Sequence, residues 1–189
     1  MKIGIFGGSF NPIHSGHAIL LNHLSQSGIF DEIWIMVNRL NPLKEKQTLT
    51  SESHRLEMAR LVASKLKNVK VSDIEMTLPE PSYTYHTLEF LKNNFPQDTF
   101  SILIGSDNWE IFDRWYKSKE ILENHQVFIY PRGGYEIKKT GRPQRFLENC
   151  PVTEISSSKI RDMVKKCQNI TFLVPDDVKT YITINNLYK

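Results

Sequence analysis

Residues 2–17 read KIGIFGGSFNPIHSGH, and the fold turns on how this stretch is read. Ile3, Ile5 and Phe6 make a compact apolar run, the mark of a short buried strand over Lys2–Phe6. Gly7-Gly8-Ser9 follows at once, and glycines at a strand end let the backbone turn tightly and approach a ligand closely. Asn11-Pro12 is a turn signal. Ser15 is then a candidate N-cap for a helix carrying Ala18, Ile19, Leu20, Leu21 and Leu24. Strand, glycine turn and helix form one unit whose helix N-terminus points into the turn. Its unpaired N–H groups and dipole favour an anion there, most often a phosphate. His14 and His17 lie three apart where the helix begins, so both rings can share one side of its first turn. Imidazoles in that place can donate to non-bridging phosphate oxygens.

Outward from this unit, the chain alternates strands with helices. EIWIMV (32–37), residues 69–74, residues 99–104, QVFIY (126–130) and residues 152–155 read as further strands. Helices are expected over 52–66, about 85–94, 119–123, from 156 onward, and from 175 or 176 to about 185, with short helix around Trp109 and Trp115. Residues 135–150 read as polar and irregular. This alternation implies an α/β fold: a Rossmann-like, doubly wound, mostly parallel sheet of five to six strands with a small C-terminal helical part over about 156–189. At 189 residues the chain is expected to be one domain with a real core. In such sheets ligands sit at the carboxyl ends of the strands. Four loops converge there: Gly7–Gly8, Asn38–Lys44, Gly105–Asp107 and Pro131–Gly133.

Composition narrows the classes of function. Apolar content of 40% and charged content of 24% are those of an ordinary globular protein. A net charge of +3 suits a small anionic substrate and is too weak to argue for nucleic acid. The two cysteines, Cys150 and Cys167, have no C-x-x-C or zinc-type partners and read as reduced thiols. No apolar run approaches a membrane span, and the first residues lack a signal-peptide core, so a cytoplasmic location is expected. G-x-G-x-x-G and G-x-x-x-x-G-K-S/T are both absent, against a dehydrogenase and a P-loop enzyme. His14-x-x-His17 lacks the further ligands that a zinc site needs, so no protein metal site is assigned.

A second anion candidate is Ser156-Ser157-Ser158-Lys159-Ile160-Arg161. Hydroxyls at a helix start can cap it and bind phosphate, and Arg161 adds a forked cation one turn in. Taken alone, a plain capped surface helix is the simpler reading.

The string GGSFNPIHSGH (7–17) resembles the signature of the nicotinate-nucleotide adenylyltransferase family, with its H-x-G-H core. That family shares a superfamily with pantetheine-phosphate adenylyltransferases and class I aminoacyl-tRNA synthetases. ISSSKIR (155–161) resembles its I-S-x-S/T-x-x-R segment, and the likeness extends from Ile3 to the ending YITINNLYK. The resemblance implies transfer of the adenylyl group of ATP, with Mg²⁺, to nicotinate mononucleotide, giving nicotinate adenine dinucleotide and pyrophosphate. It implies catalytic roles for His17, His14 and Arg161, and ATP contacts from Gly7, Gly8, Ser9, Phe10, Gly105, Asp107, Arg132, Ser156 and Ser158. For the mononucleotide it implies Asn38, Lys44, Thr84, Tyr85, Asp107 and Trp115: the N–H groups near Thr84 and Tyr85 for the nicotinate carboxylate, Trp115 as a stacking face. Without the resemblance, a capped helix and a core tryptophan are the better readings of these last two features.

Two departures stand out. The family's P-P-H-K reads Asn41-Pro42-Leu43-Lys44 here, and Asn11 stands where aspartate is common. They keep open a nucleotide-binding sensor without catalysis, alongside an adenylyltransferase for nicotinamide mononucleotide or pantetheine phosphate. Oligomeric state is left open, a homo-oligomer included. The whole reading requires His17 and Arg161 to face one cleft.

Overall fold

The computed structural model describes residues 1–39, 49–135, 144–147 and 149–189. Lys44 and Leu43, with the rest of 40–48, lie outside the described residues. The strands are β1 (Lys2–Gly8), β2 (Glu32–Val37), β3 (Val69–Ser72), β4 (Thr99–Gly105), β5 (Gln126–Tyr130) and β6 (Gln144–Phe146). They form one sheet in the order β3-β2-β1-β4-β5-β6, and every pairing is parallel. The helices are α1 (Ser15–Ser25), α2 (Glu52–Ala63), α3 (Thr84–Asn94), α4 (Ser106–Glu110), α5 (Ser118–Asn124), α6 (Ser157–Lys165) and α7 (Asp176–Ile184).

Alternation along each strand sends side chains to two cores. Phe6, Ile33, Ile35, Val37, Leu103 and Phe128 face one core, with Leu21 and Leu24 of α1, Met58 and Val62 of α2, Ile160 of α6 and Val178 and Ile182 of α7. Ile3, Ile5, Met36, Ile102, Ile104, Val127 and Ile129 face the other, with Leu88 and Leu91 of α3, Trp109 of α4 and Ile121 of α5. Burial on both faces is why these strands read as continuous apolar runs. The strand order reverses between β1 and β4, which opens a crevice at their carboxyl ends.

Three local expectations are corrected. The sixth strand is Gln144–Phe146, in register with Val127–Ile129, not residues 152–155. Those residues run extended without a ladder, and Val152 is 52% exposed. They carry the chain back across the carboxyl end of the sheet, where Thr153 rests against α1. The third strand stops at Ser72, and residues 74–76 turn as a 3-10 helix. His14, not Ser15, is the N-cap of α1, which places His17 at the third helical position.

Candidate active site

The N-cap shift orients the histidine pair. The His14 backbone N–H donates to His17 Nδ1 at 3.2 Å, so His17 accepts as the acidic residue does in a capping box. In the neutral ring this leaves the proton on Nε2, as a donor on the far side. The two rings stack with centroids 3.7 Å apart and planes 23° apart. Phe10 and Phe6 present ring edges to His17 at 5.1 and 5.9 Å. His14 is 2% exposed. Burial, and after it the charge of Arg132, push its pKa down to about 3, so the ring is neutral at pH 7.

Gly16, between the histidines, is dictated by space. A Cβ there would run into Thr153 Oγ1 and come within 3.1 Å of the His14 ring. The first N–H of α1, from Ser15, is taken by the Leu173 carbonyl at 2.9 Å.

The serine–arginine cluster meets the same loop. Arg161 Nη1 donates to the Asn11 carbonyl at 2.9 Å, and Ser157 Oγ to the Pro12 carbonyl at 2.8 Å. Arg161 Nη2 reaches Ser158 Oγ at 3.4 Å, and Ser156 caps α6 by accepting from Lys159 N–H. His17 and Arg161 are therefore carried on two helix starts joined through residues 11–12. Ser157 is the tether, and sequence spacing held no signal that distinguished it from its two neighbours. Asn11 is buried, and its Oδ1 accepts from Thr50 N–H at 3.3 Å.

A cavity of about 390 Å³ opens at the crevice between β1 and β4. Gly7, Gly8, Ser9, Asn38, Thr84, Gly105 and Trp115 line it. His14, His17, Asp107, Arg132, Tyr85, Ser156, Ser158 and Arg161 lie outside its lining. The link between the two groups is Arg132. Its Nε stands 3.7 Å from Asp107 Oδ2, its N–H donates to Ser106 Oγ at 2.9 Å, and its charge acts on His14. A Cβ at Gly105 would meet Asp107 Oδ1 and come within 2.8 Å of Arg132 Cγ, so a glycine is required there too.

At the far end of the cavity, His86 and Thr87 N–H both bond the Tyr83 carbonyl. The N–H groups of Thr84 and Tyr85, ahead of them, have no carbonyl of α3 to pair with. Trp115 is set by an aromatic row, with Trp109 and Phe112 centroids 5.1 Å apart and Phe112 and Trp115 5.0 Å apart. Among the described residues, three residues that line the cavity have buried polar atoms without a hydrogen bond: Asn38 Oδ1, Trp115 Nε1 and Glu75 Oε2.

Sequence reasoning missed two buried charged residues. Glu75 lines the cavity, and burial raises its pKa against the hydrogen bond that Thr87 Oγ1 donates to its Oε1 at 2.9 Å. Arg55 is 1% exposed beneath the ends of β1 and β2. Its signal was present: Arg55 is three residues before Met58, on the face of α2 that enters the core.

Comparison with known proteins places the chain in a family. A family model described as cytidylyltransferase-like matches residues 5–163. The chain is 42% identical over 192 residues to a probable nicotinate-nucleotide adenylyltransferase of Flavobacterium johnsoniae, covering 100% of both chains. It is 40% identical to one of the same name from Bacteroides thetaiotaomicron, covering 96% of this chain and 91% of that one. Among solved structures it is similar to Plasmodium falciparum nicotinic acid mononucleotide adenylyltransferase complexed with NaAD. The TM-score is 0.85 at 26% identity, over 99% of this chain and 97% of that one. The same Plasmodium enzyme complexed with APC gives a TM-score of 0.84 at 26% identity, over 99% of this chain and 96% of that one.

Proposed function

The chain belongs to the nicotinate-nucleotide adenylyltransferases, within the cytidylyltransferase-like family, and on that premise we propose that it transfers the adenylyl group of ATP to nicotinate mononucleotide. The products are nicotinate adenine dinucleotide and pyrophosphate, a step of NAD biosynthesis. The 5′-phosphate of the mononucleotide attacks the α-phosphorus in line and pyrophosphate leaves. The nucleophile is already an anion, so the protein needs to align and to stabilise charge, with no covalent step of its own.

The observation that carries this reading is the pinned tautomer of His17. With Nδ1 held by the His14 N–H, Nε2–H is preset to donate to an α-phosphate oxygen as charge moves onto it. His14 supports it as a neutral stacked ring. Gly7, Gly8, Ser9 and Phe10 offer the turn at the triphosphate. Ser156, Ser158 and Arg161 grip the leaving pyrophosphate from the other helix start. Gly105 leaves room for the nucleotide ribose, whose hydroxyls Asp107 accepts, and Arg132 lies toward the adenine. Asn38, Asp107, Thr84, Tyr85 and Trp115 hold the mononucleotide. The N–H groups of Thr84 and Tyr85 meet the pyridine carboxylate and Trp115 its ring. Lys44 is assigned to the phosphates on sequence alone.

Among the described residues no group of three or more His, Cys, Asp or Glu is placed to hold a metal ion. Mg²⁺ is assigned to ATP as part of the substrate, where it neutralises phosphate charge. Among the described residues no helix is long and apolar enough to cross a membrane. The proposed enzyme is cytoplasmic and acts on small molecules rather than on nucleic acid.

Pyrophosphate release, measured with ATP and each of nicotinate mononucleotide, nicotinamide mononucleotide and pantetheine phosphate, tests the proposal. Release with the acid mononucleotide, above both others, is expected. Preference for either alternative acceptor reassigns the substrate, and nucleotide binding without release makes the chain a sensor.

A further inference from the structure

Arg55 is a cation with almost no contact with water. Among the described residues no carboxylate lies within ion-pair distance of it. Its donors go to main-chain carbonyls instead. Nη1 donates to Ser9 O at 2.8 Å and to Asn38 O at 2.6 Å, Nε to Thr50 O at 3.1 Å and Nη2 to Arg39 O at 3.3 Å. A desolvated charge with no carboxylate at ion-pair distance among the described residues is costly, and the partial charges of carbonyls, with the more distant Glu52 and Glu75, offset only part of that cost. A neutral side chain would fill the space more cheaply. The guanidinium is suited to this place because its planar fork reaches several carbonyls at once.

Three of the four acceptors follow the paired strands β1 and β2, of which β1 borders the crevice, and the fourth, Thr50, precedes α2. Ser9 closes the glycine turn after β1, and Asn38 and Arg39 follow β2. In a trans peptide the C=O and the next N–H point in opposite directions. Drawing the Ser9 and Asn38 carbonyls toward Arg55 therefore turns the Phe10 and Arg39 N–H groups away from it. Ser9 and Asn38 line the cavity, and Arg55 does not. The peptide held this way is also an unfavourable one: Phe10 has φ 46°, left-handed backbone that a non-glycine residue adopts only when its surroundings require it.

We propose that Arg55 is a positioning residue of the ATP subsite, clamping the turns after β1 and β2 in one arrangement so that the triphosphate meets preset N–H groups over a buried positive charge. This rests on the adenylyl-transfer reading, in which the glycine turn holds ATP.

The test compares wild type with Arg55→Lys, which keeps the charge but loses the fork, and Arg55→Gln, which keeps two donors and loses the charge. All are assayed at 25 °C, well below unfolding temperatures measured in parallel. Expected is a fall in kcat/KM for ATP by about 10²-fold, the scale of a misplaced substrate, larger for Gln than for Lys. The KM for nicotinate mononucleotide should also rise, through the Asn38 that the clamp holds, but by less than that for ATP, since its pyridine end is built elsewhere. A purely structural Arg55 would lower the unfolding temperature and leave ATP kinetics of the folded protein unchanged, which overturns the proposal. So does failure of both variants to fold. Should wild type release no pyrophosphate, the reaction reading fails, and Arg55 is judged by calorimetric ATP binding alone. There, wild-type affinity in both variants overturns the clamp.

Discussion

His14 and His17 differ in task although they are one turn apart. His17 Nδ1 is occupied by a backbone N–H, so the ring can turn only one donor outward. Replacing it with Ala should lower kcat by roughly 10²–10³, the scale of losing one transition-state donor, with the circular dichroism spectrum unchanged. Wild-type turnover in that variant would remove His17 from the chemistry. His14 is buried and titrates near 3, against about 6.5 in an unfolded chain. As pH falls through that window the unfolded chain binds a proton that the folded one refuses. Stability is thus full above about pH 6.5 and is lost at up to about 1.4 kcal/mol per pH unit below it. Urea unfolding at pH 7 and pH 5 should show this slope in wild type and a flatter one in His14→Gln. Gly16→Ala should cost about 1–3 kcal/mol by overpacking Thr153 and the His14 ring. Adding Thr153→Ala should recover part of the loss, which denaturant midpoints of the single and double variants would reveal.

At the scale of elements, the site is two helix starts and two glycine turns brought together. α1 presents the histidines and α6 the serines and Arg161, and Ser157 ties the second helix to the loop leading into the first. Ser157→Ala should lose about 1 kcal/mol of stability and raise the KM for ATP, with that for the mononucleotide unchanged. Equal shifts in both constants would mean that the tether serves the whole cavity rather than its phosphate end. α3 and the Phe112–Trp115 turn build the opposite end on the other face of the sheet. In the proposed function this separation would hold the two nucleotides at opposite ends of one site, as an in-line transfer needs.

For the whole molecule, we propose a single folding unit over 1–189, with about 156–189 as its helical end. Ile160, Val178, Ile182 and Leu187 share one core with α1, α2 and the sheet, and Leu173 accepts from Ser15 at the start of α1. Ile182→Ala should therefore destabilise by about 2–5 kcal/mol and shift one cooperative transition seen alike by tryptophan fluorescence and circular dichroism. Two separate transitions would refute the single unit. Much of this architecture was legible in the chain itself. Apolar runs bounded by Gly7-Gly8 and Gly105 marked β1 and β4, and the motif residues named their own loops, because strand burial and turn geometry are local demands. Edge strand β6 was not legible, since three half-exposed residues carry no apolar pattern, and extended residues 152–155 imitated a strand without a partner. What the sequence by itself determined is the α/β alternation, the histidine pair at a helix start and the family. Only the tertiary structure decided that His14 caps α1 and so sets the tautomer of His17, that Ser157 rather than its neighbours joins α6 to the loop, and that Arg55 lies beneath both turns. The last two depend on contacts between residues up to 145 positions apart, and such contacts exist only after the sheet has placed its strand ends side by side.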